Sequence, residues 1–123
     1  MSKHHSILLV DDNLDILEAV QYLLEDAGYG VIPVENGEYL ETLDKNNLPD
    51  LILLDMLLSG KDGGEIAKKL KADKQTSKIP IIMVSAHPSA KEAAKRSGAD
   101  DFIAKPFDIE QLLELIKKYL KAE

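Results

Sequence analysis

Apolar residues gather in four short runs along the chain, and each run stops at a residue with pointed chemistry. Ile7 to Val10 runs into Asp11 and Asp12, Leu51 to Leu54 into Asp55, Ile81 to Val84 into Ser85, and Phe102 to Ala104 into Lys105 and Pro106. Short, unbroken apolar runs of this kind predict strands buried on both faces. Between them the spacing becomes helical. Leu14, Ile16, Leu17, Val20, Leu23 and Leu24 recur near one turn, with Asn13 as the N-cap and Gly28 as the stop. Val31 to Val34 predicts a further strand, Gly37 to Lys45 a short helix with Leu40 and Leu43 inward, and Leu48-Pro49-Asp50 the turn into the Leu51 strand. Gly63 and Gly64 open a helix with Ile66, Ala67 and Leu70 inward, and Ser89 to Arg96 forms an Ala-rich helix ended by Gly98. Asp108 caps a last helix whose buried stripe is Ile109, Leu112, Leu113, Ile116 and Leu120. Five strands alternating with five helices imply an α/β fold with a parallel sheet covered on both faces.

In a parallel sheet Asp11, Asp12, Asp55, Ser85 and Lys105 all project from the carboxyl edge, where ligands bind in open α/β folds. Three carboxylates at neighbouring strand ends repel one another unless a cation lies between them. Hard oxygen donors of this kind suit Mg²⁺, with Asp12 and Asp55 as direct ligands and Asp11 in the outer shell. The competing reading is that Asp11 or Asp12 caps the following helix. Asp55 precedes Leu58-Ser59-Gly60, which reads as loop, so it has no helix to cap. The Lys105-Pro106 bond is expected to be cis, aiming the ammonium back at the carboxylates, where it can hold an anionic oxygen as a point charge. Ser85 offers a hydroxyl to another such oxygen.

A chain of 123 residues suits a single domain, residues 1–123. Its formal charge of -7 opposes nucleic acid and anionic membranes as partners and favours cations. The absence of cysteine removes thiol chemistry and disulfides. With neither a signal pattern nor a spanning apolar stretch, a cytoplasmic location is expected.

Four segments carry a family resemblance: Ile7-Leu-Leu-Val-Asp-Asp12, Pro49-Asp-Leu-Ile-Leu-Leu-Asp55, Ile79-Pro-Ile-Ile-Met-Val-Ser-Ala86 and Gly98-Ala-Asp-Asp-Phe-Ile-Ala-Lys-Pro-Phe107. In this order and at these spacings, the chain resembles the response regulator receiver domains of two-component signalling from about Ile7 to Leu120. The resemblance implies a flavodoxin-like (βα)5 doubly wound sandwich with strand order 2-1-3-4-5. It implies Asp55 as the phosphoacceptor, Asp11 and Asp12 as the acidic pair, and the Leu57 backbone carbonyl completing a Mg²⁺ site. Ser85 and Lys105 then become the switch hydroxyl and the phosphate-binding lysine, and Phe102 the aromatic switch. The implied donor is a sensor histidine kinase or phosphotransfer protein. A downstream effector would be reached through the face of the fourth helix, fifth strand and fifth helix, with no direct contact to nucleic acid or membrane. Such a domain is no enzyme in the usual sense, since it catalyses only its own phosphorylation and dephosphorylation.

The chain departs from the family pattern at several positions. Leu58-Ser59 stands where the family commonly has Met-Pro, Phe102 lacks the hydroxyl of its commoner tyrosine, and the resemblance implies that Leu57 and His87 sit where the family tunes access of water to the acyl phosphate. Two rival classes share part of this pattern. A haloacid-dehalogenase-like phosphatase needs a second acid two residues after the nucleophile, where this chain has Leu57. A pseudo-receiver would never accept phosphate, and the five site side chains argue against that.

Overall fold

The computed structural model describes residues 5–43, 46–58, 61–87 and 89–120. The apolar runs become the strands of one parallel sheet. These are β1 (Ser6–Val10), β2 (Gly30–Val34), β3 (Leu51–Asp55), β4 (Ile81–Ser85) and β5 (Asp101–Ala104), in the order β2-β1-β3-β4-β5. Four α-helices return the chain between them: α1 (Leu14–Asp26), α2 (Gly63–Ala72), α3 (Ala90–Ser97) and α4 (Ile109–Tyr119). The fold is flavodoxin-like with the expected strand order.

Because side chains alternate across a strand, the sheet divides the apolar residues into two cores. Leu8, Val10, Ile52, Leu54, Ile81 and Met83 face one side, where α2 and α3 cover them. Ile7, Leu9, Leu51, Leu53, Ile82 and Ile103 face the other, against Leu17, Val20 and Leu24 of α1 and Leu112 and Ile116 of α4. Burial on both faces explains why β3 and β4 read as unbroken apolar runs.

Helix ends follow the local chemistry, with corrections. Asn13 caps α1, its side chain accepting from the amides of Asp15 and Ile16, and Gly98 closes α3 in the left-handed region at φ 90°. The expected helix at Gly37 to Lys45 is instead a 3₁₀ segment, Gly37–Thr42, and Lys45 lies outside the described residues. Leu40 and Leu43, three positions apart, are both buried, a spacing that suits the three-residue turn. Among the described residues, four α-helices and one 3₁₀ segment thus stand where five helices are expected. Asp108 holds the N-cap position of α4 without a side-chain capping bond, so its contribution is its charge near the helix N-terminus. Of the segment read as loop, Leu58 instead belongs to a short antiparallel pairing of Leu57–Leu58 with Lys61–Asp62, and Ser59 and Gly60 lie outside the described residues.

β2 forms one edge of the sheet, with Pro33 opposite Leu9. The amide of Gly30 donates to the His5 carbonyl, and the Val34 carbonyl accepts from Asp11. Even-numbered residues of β2 therefore face β1, and Pro33 lies on the open side. Among the described residues, no helix is long and apolar enough to cross a membrane.

Candidate functional site

Parallel register carries the ends of β1, β3, β4 and β5 to one edge. Val10 pairs with Leu54, Asp55 with Val84, and Ser85 with Ala104. The ladder continues past the strands, since Met56 donates to the Val84 carbonyl at 2.9 Å and Lys105 to that of Ser85 at 2.9 Å. The side chains that follow are therefore aligned by backbone hydrogen bonds.

Carboxylate oxygens of Asp11, Asp12 and Asp55 lie within 4.8 Å of one another, with Asp11 and Asp55 buried. Lys105 reaches over them from the far strand, its Nζ 3.1 Å from Asp11 Oδ2 and 3.4 Å from Asp55 Oδ2. Burial alone would lower the Lys105 pKa. The hydrogen bond to Asp11 and the charges of Asp55 and Asp11 outweigh it and raise the pKa, so the ammonium stays charged across neutral pH. The Lys105-Pro106 peptide is cis. Asp11 places its other oxygen, Oδ1, on the Asn13 amide at 2.9 Å, leaving the capping of α1 to Asn13. The Lys105 ammonium contacts two of the three carboxylates, and this donor set of clustered, hard oxygens fits a divalent cation such as Mg²⁺.

Ser85 is buried at the end of β4, where its Oγ accepts from the His87 amide at 3.1 Å. His87 Nδ1 in turn accepts from the Ser89 amide at 3.2 Å, so the loop after β4 is held by its own short side chains. Phe102 stands apart from the carboxylates, half-buried against the α2 and α3 core.

Residues 7–117 match the response regulator receiver domain family. The chain belongs to that family. This receiver domain is 41% identical over 118 residues to the phosphate regulon transcriptional regulatory protein PhoB of Pseudomonas aeruginosa, an overlap of 94% of this chain and 52% of that protein. It thus spans about half the length of that relative. A crystal structure from Chloroflexus aurantiacus, solved as a candidate response regulator, matches with a TM-score of 0.90 at 36% identity, covering 96% of this chain and 98% of that one. The receiver domain of the sensor histidine kinase PA1611 from P. aeruginosa, solved with a magnesium ion coordinated in its active site cleft, matches at 0.88 with 26% identity over 98% of this chain and 100% of that one.

Several supports of the receiver site escaped sequence reasoning. Asp62 caps α2, its Oδ1 accepting from the Gly64 amide at 2.8 Å, and the Gly63 amide donates to the Met56 carbonyl at 2.8 Å. These bonds press the start of α2 against the chain just after Asp55. An Asp ahead of Gly-Gly at a helix start was the available signal.

A second network underlies Phe102. Asp101 accepts from the Phe102 amide at 2.9 Å and from the Tyr119 hydroxyl at 2.9 Å, and Tyr119 also donates to the Asp100 carbonyl. Desolvation, then the hydrogen bond and charge of Asp101, push the Tyr119 phenol up to about 12. The folded state thus prefers the neutral phenol, a contribution present below the ordinary tyrosine pKa near 10 and lost as pH rises through about 12. Ultraviolet titration of the phenolates should show a step near 12 that Tyr119→Phe removes; a step that survives this substitution contradicts the assignment.

Proposed function

We propose that this receiver accepts a phosphoryl group on Asp55 from a phosphohistidine of a sensor kinase or phosphotransfer protein and passes the signal on through a change in its output face. The observation that carries the reading is the Lys105 ammonium held between Asp11 and Asp55 at the strand edge. An Asp55 carboxylate oxygen attacks phosphorus, the N–P bond to the donor imidazole breaks as the new O–P bond forms, and the imidazole takes up a proton. Lys105 keeps its charge and neutralises a phosphoryl oxygen as negative charge builds there. The Ser85 hydroxyl, whose oxygen already accepts from His87, donates its own hydrogen to another phosphoryl oxygen. Asp11, Asp12, Asp55 and the Leu57 carbonyl would hold Mg²⁺, which when bound supplies charge neutralisation for the same oxygens. Water later attacks the acyl phosphate and returns carboxylate and inorganic phosphate. The domain turns over nothing but its own modification.

Two surfaces support the partner assignments. An apolar groove of about 390 Å³ opens beside Lys105, lined by Ile16, Ala19 and Leu23 of α1 with Ala86, Pro106 and Phe107, and suits a helical donor protein. On the output side a cleft between α3 and α4 is lined by Lys91, Lys95, Phe102 and Gln111, so a change at Phe102 would alter the surface an effector reads. We read residues 1–123 as one receiver unit acting in the cytoplasm, without direct contact to nucleic acid or membrane.

Acetyl phosphate in Mg²⁺ should add one phosphoryl group to Asp55, located by mass spectrometry, and none when EDTA replaces Mg²⁺ or when Asp55→Ala is used. A phosphoryl group found on another residue overturns the assignment. Complete failure to label would instead favour the pseudo-receiver.

A further inference from the structure

The net charge of -7 conceals a division by layer. Nine of the 15 basic residues fall between Lys61 and Arg96, together with only four of the 22 acidic ones. α1 carries Asp15, Glu18, Glu25 and Asp26 and no basic residue. Because α2 and α3 cover one face of the sheet and α1 and α4 the other, the molecule is electrically two-sided.

Cations gather where α2 and α3 both finish, at the sheet edge opposite Asp55. Lys69 lies in the last turn of α2, Lys74 and Lys78 in the turn that follows, and Lys95 and Arg96 in the last turn of α3, all of them exposed. Lys71 binds these segments together. Its Nζ donates to the carbonyls of Ser77 at 3.1 Å and Ile79 at 2.9 Å and to Asp100 at 2.7 Å, and its stem lies against Gly98.

Neutralising helix dipoles does not account for the cluster. Each helix C-terminus presents about half a negative charge, so a single cation would offset the two together, whereas five stand exposed beside Lys71. Among the described residues, the salt bridges on this layer are Lys68 to Glu65 and Lys71 to Asp100, and none involves these five. Among the described residues, the exposed large apolar side chains are Leu14, Tyr22, Leu23 and Tyr39, none of them on α2 or α3. A charged surface without an apolar anchor does not support a large, dry interface with a folded partner. It suits an extended chain held by charge, with affinity that falls as salt rises. Nucleic acid fits less well: among the described residues the patch has no aromatic side chain for stacking bases, and Asp73, at the C-cap of α2, interrupts the track that a phosphate backbone would follow.

We propose that the lower end of the α2–α3 layer docks a short Asp/Glu-rich segment of a partner polypeptide, at a site separate from the phosphorylation edge. The test is an amide NMR titration of the ¹⁵N-labelled protein with a synthetic peptide of alternating Glu and Ser, at low and at physiological salt. Shifts should centre on Lys69, Lys74, Lys78, Lys95 and Arg96 and weaken with salt. The triple variant Lys74→Glu, Lys78→Glu, Arg96→Glu should bind about tenfold more weakly, while keeping its melting temperature and its labelling of Asp55 by acetyl phosphate. The proposal is overturned by the absence of shifts at low salt, or by shifts centred on Lys105 or on Phe102 and Gln111 of the α3–α4 cleft. A single-stranded oligonucleotide of equal charge that binds as tightly as the peptide also overturns it, and assigns the surface to nucleic acid.

Discussion

Replacing Gly63 with alanine should lower the melting temperature by roughly 10 °C, while the same change at Gly64 should leave it nearly unaltered. A Cβ at Gly63 would lie 2.5 Å from the Asp55 carbonyl oxygen and 2.9 Å from both Cα and the carbonyl oxygen of Met56. All three are backbone atoms of the chain that leaves β3, and no rotamer change can move them aside. Either α2 or the end of β3 must shift, at a cost near the top of the ~1–3 kcal/mol range for overpacking. At Gly64 a Cβ would meet the Asp62 Oδ1 atom at 3.2 Å, which a small rotation of the carboxylate relieves, while Met56 Cε and Ser97 Cβ at 3.8 Å are at ordinary van der Waals distance. The ordinary gain of alanine over glycine inside a helix then offsets the crowding. Displacing Asp55 should also slow its labelling by acetyl phosphate in Gly63→Ala alone. Paired thermal melts decide the matter, and equal stability of the two variants would show that α2 is not pressed against β3 as described.

Asp12→Ala should raise the melting temperature in EDTA by several degrees yet lose the stabilisation that Mg²⁺ gives the wild type. Asp11, Asp12 and Asp55 lie within 4.8 Å of one another and the Lys105 contacts fall on Asp11 and Asp55, so Asp12, the most exposed of the three, feels repulsion from the other two on the order of 1–2 kcal/mol after solvent screening. Removing Asp12 relieves it and leaves the Lys105 contacts to Asp11 and Asp55 in place. Wild type, given Mg²⁺ at tenfold its dissociation constant, should gain about 1.4 kcal/mol. Melts of both proteins in EDTA and in Mg²⁺ provide the measurement. Destabilisation of Asp12→Ala without metal, or an equal gain of both proteins from Mg²⁺, would show that Asp12 serves the fold instead of a cation.

What the sequence revealed, and what it hid, follows from how far each interaction reaches along the chain. The strands were legible because burial on both faces leaves unbroken apolar runs, and their polar endings pointed to the edge where Asp11, Asp12, Asp55 and Lys105 meet. The 3₁₀ turn at Gly37–Thr42 was misread because Leu40 and Leu43, three apart, satisfy either helical period. Ser89 and Asp108 sit at helix starts as their residue types suggest, yet neither side chain caps, and the Ser89 hydroxyl lies 2.8 Å from His87 Nδ1 instead. The two-residue strands around Leu57 and Lys61 are too short to show a period. Lys71 with Asp100 and Tyr119 with Asp101 are separated by 29 and 18 positions, and no local pattern joins them.

Pro33 bears on the behaviour of the molecule in a crowded solution. On the open side of β2 an incoming strand would seek a donor at this position and find a pyrrolidine ring, so the row of main-chain groups that could template further sheet is broken midway. The opposite edge, β5, is only four residues long and begins with a carboxylate. Growth of the sheet from one molecule into the next is therefore discouraged at both ends, and reversible encounters are directed to the helical layers. Molecules brought together at high local density can meet and separate again, because sheet growth is opposed by the covalent structure of a single imino acid on one side and by a short strand that begins with a carboxylate on the other.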